Sequence, residues 1–334
     1  MIPPKISIIL PVYNVAPYLR QCLDSVVNQT MRDIQIICVN DGSTDGSHDI
    51  LREYAAQDSR FEIITQENRG AGSARNAAFP FIKGKYAYFA DPDDWLNLEL
   101  CEKALKKIEE TEVDVVYLQG IRELPGKQGK TSHKLAPNLP DVRTSPDERI
   151  DLLCHYAPWV KFWKSDFLFE HQIQFSDGKR PANDVFQSWQ GIVLANRIAV
   201  LDEPLYHYRC LRPGSYQESF NPSHFTIVDT MNEVETFLRK SGKYDAYKDQ
   251  FHTQKLAQFF RCYRGLPVKL QQEFREKIRQ NLTLEDREYF YNGKVKRRIA
   301  RFYKVEIDGT PFEQCVYRIL SSIRRFVKPK RKVA

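Results

Sequence analysis

The sequence predicts an α/β protein: a mostly parallel, doubly wound sheet followed by a helical C-terminal region. Two observations predict it. Short apolar runs bounded by turn residues alternate with helical apolar stripes over the first third of the chain, and from about Phe220 onward the patterning is helical alone.

Ser7–Val12 reads as a buried strand, and a helix starts near Pro17 with Leu19, Cys22, Leu23, Val26 and Val27 spaced to share one face. Strands follow at Ile34–Val39, Phe61–Thr65, Tyr86–Ala90 and Val113–Leu118. Helices alternate with them at Asp49–Ala56, Gly72–Phe79 and Asn97–Glu110. The stretch Gly120–Pro146, rich in Gly, Pro, Lys and Ser, reads as a loop or linker. Ile150–Tyr208 is mixed and aromatic-rich, and no internal repeat is evident.

The 334 residues allow one large domain or two ordinary ones. Seven scattered cysteines form no C-x-x-C pair, which argues against a disulfide framework or structural zinc and for a reducing compartment. The first residues lack a basic signal-peptide region, and no run approaches the ~18 apolar residues of a membrane span. The chain is expected to be cytoplasmic, meeting a membrane only from the side. Its net charge of +7 is unevenly placed: Gly293–Ala334 holds 13 Lys+Arg against 3 acids, the rest 37 against 40. The basic excess therefore says nothing about the body of the protein.

In an open parallel sheet, ligands bind beyond the carboxyl ends of the strands. Each of the first four strands ends in polar residues: Tyr13-Asn14, Asn40–Asp45, Glu67–Gly70 and Asp91–Asp94. Three carboxylates in Asp91-Pro92-Asp93-Asp94 repel one another unless a cation neutralises them, and Mn²⁺ or Mg²⁺ takes such oxygen ligands together with substrate phosphates. A helix cap and a solvated turn would also account for the last cluster, and Asx turns for Asn40–Asp45, where Gly42 permits positive φ. With four polar strand ends aimed at one crevice, the metal reading is preferred. The glycines near Gly70 make an incomplete dinucleotide fingerprint after the wrong strand, and no P-loop is present.

The ordered series Ile8–Asn14, Asn40–Asp45, Asn68-Arg69-Gly70 with Ala74-Arg75-Asn76, and Asp91–Trp95 resembles the inverting family 2 glycosyltransferases, the bacterial surface-polysaccharide and lipopolysaccharide branch above all. The resemblance is strong over residues 5–118 and thinner to about 216. It implies a GT-A fold, with 1–118 as the nucleotide-sugar half, 119–216 as the acceptor and catalytic-base half of the same domain, and 217–334 as a helical region. It implies transfer of a hexose or N-acetylhexosamine from a nucleoside-diphosphate sugar, a UDP-sugar first, to a saccharide acceptor. Carried over residue by residue, Asp41 meets the base, and Asn14 and Arg75 line the nucleotide pocket with Pro11, Tyr13 and Asn68. Asp93 holds Mn²⁺ or Mg²⁺ against the diphosphate, Asp91 reaches ribose or a metal-bound water, and Asp94 has no assigned role.

An inverting transfer needs a carboxylate to take the acceptor proton. Asp166, Asp177, Asp184 and Asp202 are available, and similarity of Lys161–Phe175 and Asn183–Phe186 to the family's second half selects Asp184, although Asn183 replaces the usual acidic neighbour. A helix cap is the plainer reading of Asp184. Tyr206–Arg209 with Arg212–Ser215 looks like the family's closing loop, where Arg209 would approach the diphosphate. His207 reads as structural before it reads as a metal ligand, and the four tryptophans read as core before sugar platforms. Phe312–Val327 carries an unbroken helical apolar stripe among basic residues, so 312–334 is expected either to dock on an anionic membrane near a lipid-linked or lipopolysaccharide-type acceptor, or to pack on the body. Nucleic acid is not expected as a partner. The rival reading is a non-catalytic nucleotide-sugar-binding or membrane-associated protein on the same fold.

Overall fold

The computed structural model describes residues 3–125, 127–131, 140–149, 151–178, 182–212 and 220–310. In chain order the first part runs β1 (Ile6–Val12), α1 (Ala16–Val27), β2 (Ile34–Asp41), α2 (Ser47–Gln57), β3 (Phe61–Gln66), α3 (Ala71–Ala77), β4 (Tyr86–Phe89), β5 (Trp95–Leu96) and α4 (Leu100–Thr111). There follow β6 (Val115–Leu124), β7 (Lys127–Thr131), β8 (Val142–Arg143), β9 (Lys161–Lys164), α5 (Ser165–Glu170), α6 (Asn183–Leu194) and β10 (Ile198–Arg209). The helices α7 (Thr226–Lys240), α8 (Tyr244–Gly265), α9 (Val268–Asn281), α10 (Leu284–Tyr291) and α11 (Arg297–Phe302) follow, the last continued by a π-helical segment at Tyr303–Ile307. Two compact units result, Met1–Glu218 with Glu233–Ala246, and Ser219–Asn232 with Tyr247–Ala334.

The sheet of the first unit has the order β3-β2-β1-β4-β9-β6-β10-β5, with β7 on β6 and β8 on β10. β3, β2, β1 and β4 are mutually parallel, as the strand–helix alternation requires. Beyond β4 the sheet is mixed: β9 runs antiparallel to both β4 and β6, and β10 is parallel to β6. Every residue of β1, β2 and β4 is buried. A parallel strand covered on both faces is mostly apolar, which is why these segments read as runs rich in Ile, Val and Tyr; the buried Ser7 and Gln35 satisfy each other by a hydrogen bond. In α1, Leu19, Cys22, Leu23 and Val26 are buried as the stripe predicts, and Pro17 sits in the first turn, where its missing N–H costs nothing.

Gly120–Pro146 is not simply a loop. β6 continues to Leu124, and its last turns pair with β7, while Val142-Arg143 pairs with Ile198-Ala199 of β10. Main-chain pairing alone specifies these strands; their Lys, Gln and Gly residues carry no alternating apolar signal. The helix expected from Asn97 begins at Leu100, because Trp95-Leu96 is held as a strand against Tyr206-His207.

Close packing fixes α6 on the sheet. A Cβ at Gly191 would lie 2.2 Å from Cη2 of the buried Trp163. Gly191→Ala is expected to destabilise the first unit by about 1–3 kcal/mol through overpacking. A urea titration checks this, and an unchanged midpoint would contradict it.

The second unit is helical, as expected, with Phe251, Leu256, Phe259, Phe274, Ile278, Phe290 and Tyr303 in its core. It also buries Asp286, which accepts hydrogen bonds from Lys255 Nζ at 2.7 Å and from the Thr283 N–H at 2.9 Å, with His252 Nδ1 2.6 Å away. Burial favours the neutral acid, but His252 and Lys255 outweigh it and hold the carboxyl down at about 2. The expected apolar stripe and basic residues of 312–334 lie outside the described residues.

Candidate active site

The first three polar strand ends are stitched together by their own side chains, and the fourth is reached by Arg75 of α3. Asn14 follows β1 in the left-handed region at φ 50, and its Oδ1 accepts from Thr44 N at 2.8 Å. Asn40 accepts from Ser43 N, and Asp45 from Ala16 N and Ser47 N, each within 3.0 Å. The turn chemistry that the sequence allowed for Asn40–Asp45 is thus real. Gly42 does take positive φ, at 70, and a Cβ there would lie 2.8 Å from Asn68 N, so the two loops meet backbone to backbone.

Asp41 is 2% exposed. Its carboxylate accepts from Arg69 N and Gly70 N, both at 2.8 Å, and from Gln66 Nε2 at 2.7 Å. It therefore sets the β3–α3 turn. Pro11 is buried at the end of β1, Tyr13 is exposed beyond it and Asn68 is half-buried.

Arg75 of α3 is a buried strut. Its Nη2 donates to Asp91 Oδ1 at 2.5 Å, its Nη1 to Asn183 Oδ1 at 3.0 Å, and its guanidinium lies 5.1 Å from the Phe175 ring centre. One side chain thereby links the acidic turn after β4 to the first residue of α6. Asn183, standing where an acid was expected, serves as an acceptor for this arginine.

The three aspartates have different surroundings. Asp94, 1% exposed, accepts from Tyr206 Oη at 2.8 Å and from Arg209 N at 2.7 Å; Asp91 N donates to the same Tyr206 oxygen at 3.1 Å. Burial, then Asp93 and Asp91, push the Asp94 carboxyl well above the ordinary range. Its position resolves the role left open in the sequence: it ties the end of β10 to the acidic turn. Asp93 pairs with Arg212 Nε, and its side chain keeps 15% exposure. Burial and Asp91 raise its pKa while Arg212 opposes them. Arg209 donates from Nε to Asp93 O at 2.8 Å and from Nη2 to Gln21 Oε1 at 2.6 Å, with its guanidinium 4.8 Å from Trp95 and 5.0 Å from Tyr18. The acidic turn and two arginines thus meet at the ends of β4 and β10.

His207 Nδ1 lies 2.8 Å from Glu123 Oε1, and its ring stacks on Trp95 at 5.0 Å, which fits the structural reading. Trp159, Trp163 and Trp189 are buried, and only Trp95 is partly exposed.

Asp184 occupies the first turn of α6, where the helix dipole favours a carboxylate. It keeps partial solvent contact, yet its carboxyl is enclosed enough for burial to push it up to about 6, against Lys161 and Arg75. Of the other candidates, Asp166 is exposed, Asp202 is exposed and accepts from Gln119 Nε2 at 2.8 Å, and Asp177 is exposed beside Ser73 and Asn76. An enclosed carboxyl pushed up to about 6 by burial matches what proton transfer near neutral pH requires. Sequence reasoning missed Tyr206 as a link, Arg212 as the partner of Asp93, and the buried Lys161. Their separations along the chain carry no periodic signal, and only the antiparallel return of β9 and the long β10 bring them here.

Comparison with known proteins fits this arrangement. The family model described as glycosyl transferase family 2 matches residues 7–164. EpsH of Bacillus subtilis (strain 168), a protein named as a glycosyltransferase, is 31% identical over 266 residues, spanning 75% of this chain and 74% of that one. The poly(ribitol-phosphate) beta-glucosyltransferase of Bacillus spizizenii is 30% identical over 252 residues, and the match covers 73% of this chain but 38% of that protein. Among solved structures, Staphylococcus aureus TarS 1–349 in complex with UDP-GlcNAc superposes with a TM-score of 0.75 at 21% identity, covering 94% of this chain and 91% of that one. That likeness shows the fold, GT-A, with a helical C-terminal region. The chain belongs to glycosyl transferase family 2.

Proposed function

We propose that this glycosyltransferase moves a hexose or N-acetylhexosamine from a UDP-sugar to a saccharide acceptor, with inversion, in cell-surface polysaccharide or lipopolysaccharide synthesis. The observation that carries this reading is the Arg75 strut, which joins the acidic turn of Asp91 to the helix that begins with Asn183-Asp184. A leaving-group site and a proton acceptor are thereby held on one framework. The poly(ribitol-phosphate) specificity of the B. spizizenii relative and the UDP-GlcNAc bound to TarS support a UDP-sugar donor and a polymeric surface acceptor.

In this mechanism Asp41, Asn14, Asn68, Pro11, Tyr13 and Arg75 form the nucleotide side of the crevice. Arg209 and Arg212 lie against the Asp93 turn and face the diphosphate. Asp184 takes the proton of the acceptor hydroxyl as its oxygen bonds to C1. The bond from C1 to the diphosphate oxygen breaks on the opposite face, and its electron pair leaves with the diphosphate. Residues 119–216, which include Asp184, supply the acceptor side.

Among the described residues no group of three or more His, Cys, Asp or Glu could hold a metal ion unaided. Mn²⁺ and Mg²⁺ commonly take one or two carboxylates plus phosphate oxygens, and Asp93 with Asp91 fits that partial donor set: both are half-buried, and burial together with the Asp91 charge raises the Asp93 pKa. A cation there would offset charge on the departing diphosphate.

The experiment is incubation with UDP-hexoses and UDP-N-acetylhexosamines and a saccharide acceptor panel, with the product anomer read by NMR. Inverted linkage is expected, and retained configuration would refute the mechanism. No helix among the described residues is long and apolar enough to cross a membrane. We infer peripheral attachment to an anionic membrane through 312–334; membrane fractionation that is unaltered by deleting those residues would refute it.

A further inference from the structure

We propose that Asn76 is a positioning residue of the transfer reaction: it fixes the main chain that leads into α6 and thereby sets where Asp184 stands relative to the nucleotide side of the crevice. The inference rests on the reading of Asp184 as base and adds what holds that base in place.

Asn76 lies on α3, and its side-chain amide pairs with Phe175 as a neighbouring strand would. Nδ2 donates to Phe175 O at 2.9 Å, and Oδ1 accepts from Phe175 N at 3.0 Å. Both main-chain groups of one residue are thereby satisfied, which fixes the register of the segment and the orientation of the amide. The next residue carries the tie onward: Ser176 N donates to Asn183 O at 3.1 Å, and Asn183 immediately precedes Asp184. A continuous path thus runs from Asn76 through Phe175, Ser176 and Asn183 to the base.

The neighbours of Asn76 on the same helix act on the same segment. Ser73 Oγ accepts from Gly178 N at 2.9 Å and donates to Asp177 Oδ1 at 3.2 Å. At Gly72 a Cβ would collide with Ser176 O and lie 2.9 Å from Asn183 Cβ, so only glycine allows this close approach. Arg75 lies over the Phe175 ring and donates to Asn183 Oδ1. Residues 175–178 and 183 are therefore moulded against one short helix. The start of that helix is fixed on the proposed nucleotide side, because Asp41 accepts from Gly70 N at 2.8 Å. In this arrangement α3 is the spacer between Asp41 and Asp184. Asn76 bonds to Phe175 and Asp177 rather than to the acidic turn, so its replacement leaves the Arg75–Asp91 pair in place.

The test is Asn76→Ala in the intact protein, assayed with UDP-hexoses and UDP-N-acetylhexosamines and the saccharide acceptor panel. kcat is expected to fall by about ten- to a hundredfold, the scale of a misplacement of roughly 1 Å, while calorimetric affinity for UDP stays within about twofold of wild type. Added to Asp184→Asn, the same substitution is expected to cost nothing further, since the group it places is already gone. An equal fall in both backgrounds would make Asn76 a structural support and overturn the proposal, as would an unchanged kcat in the single variant. Ser73→Ala, which removes the adjacent tie, repeats the comparison should Asn76→Ala fail to fold. A loss confined to the background that keeps Asp184 is again expected, and an equal loss in both would overturn the proposal. Full activity of Asp184→Asn alone would instead overturn the base assignment on which the proposal rests, and that single variant shows it without the others.

Discussion

Asp184→Asn is expected to lower kcat/KM by about a thousandfold at pH 7.5, within the usual span for a general base. Asn preserves the shape of the side chain and cannot accept a proton. The Asp184 side chain takes no part in the hydrogen bonds that join Asp41, Arg75 and the acidic turn, so donor affinity should change little. The pH dependence has a definite sign. Burial raises the Asp184 carboxyl to about 6, so the ionised base is present above that value and is lost as pH falls through it. The wild-type protein should therefore lose activity on the acid side near pH 6, and the small residual rate of Asp184→Asn should lack that limb. Steady-state kinetics from pH 5 to 8 check both expectations. An unaltered rate in the variant would remove Asp184 from the chemistry.

Asp93→Ala is expected to cost about a hundredfold or more in kcat/KM, and here the loss should appear in donor binding as well. The Asp93 carboxylate keeps partial exposure and is held by Arg212, whereas Asp94 is sealed by Tyr206 and Arg209 N and Asp91 is bonded to Arg75. The variant leaves Arg212 without its partner. The strengthening of UDP affinity by Mn²⁺ should shrink toward none in this variant. Calorimetric titrations with and without the metal measure the ratio. A ratio equal to that of wild type would place the metal elsewhere or show that it is not needed.

Much of the fold and of the proposed nucleotide side of the site is legible in the amino-acid sequence, for a physical reason. β1, β2 and β4 are buried on both faces, so their apolar runs and the polar residues that end them are written contiguously in the chain. The acidic turn and Asp41 are therefore found by reading along one strand at a time. What is hidden depends on strands meeting from a distance. β6, β7 and β8 pair through main-chain groups in a segment whose Gly, Lys and Gln content reads as loop. Asp94 looks redundant in the sequence because its partners, Tyr206 and Arg209, are more than a hundred residues away. Lys161 looks like one more surface charge, because only the antiparallel return of β9 puts it beneath α6. Asn183 reads in the sequence only as the replacement of an acidic neighbour, whereas its side chain is the acceptor that anchors Arg75.

Donor recognition is the claim on which the rest depends. The most direct measurement is calorimetric titration of the intact protein with UDP-, GDP- and dTDP-sugars in the presence of Mn²⁺, repeated after chelation. The result predicted here is binding of a UDP-hexose or UDP-N-acetylhexosamine that weakens sharply when the metal is removed. Failure of every nucleotide sugar to bind with metal present would contradict it.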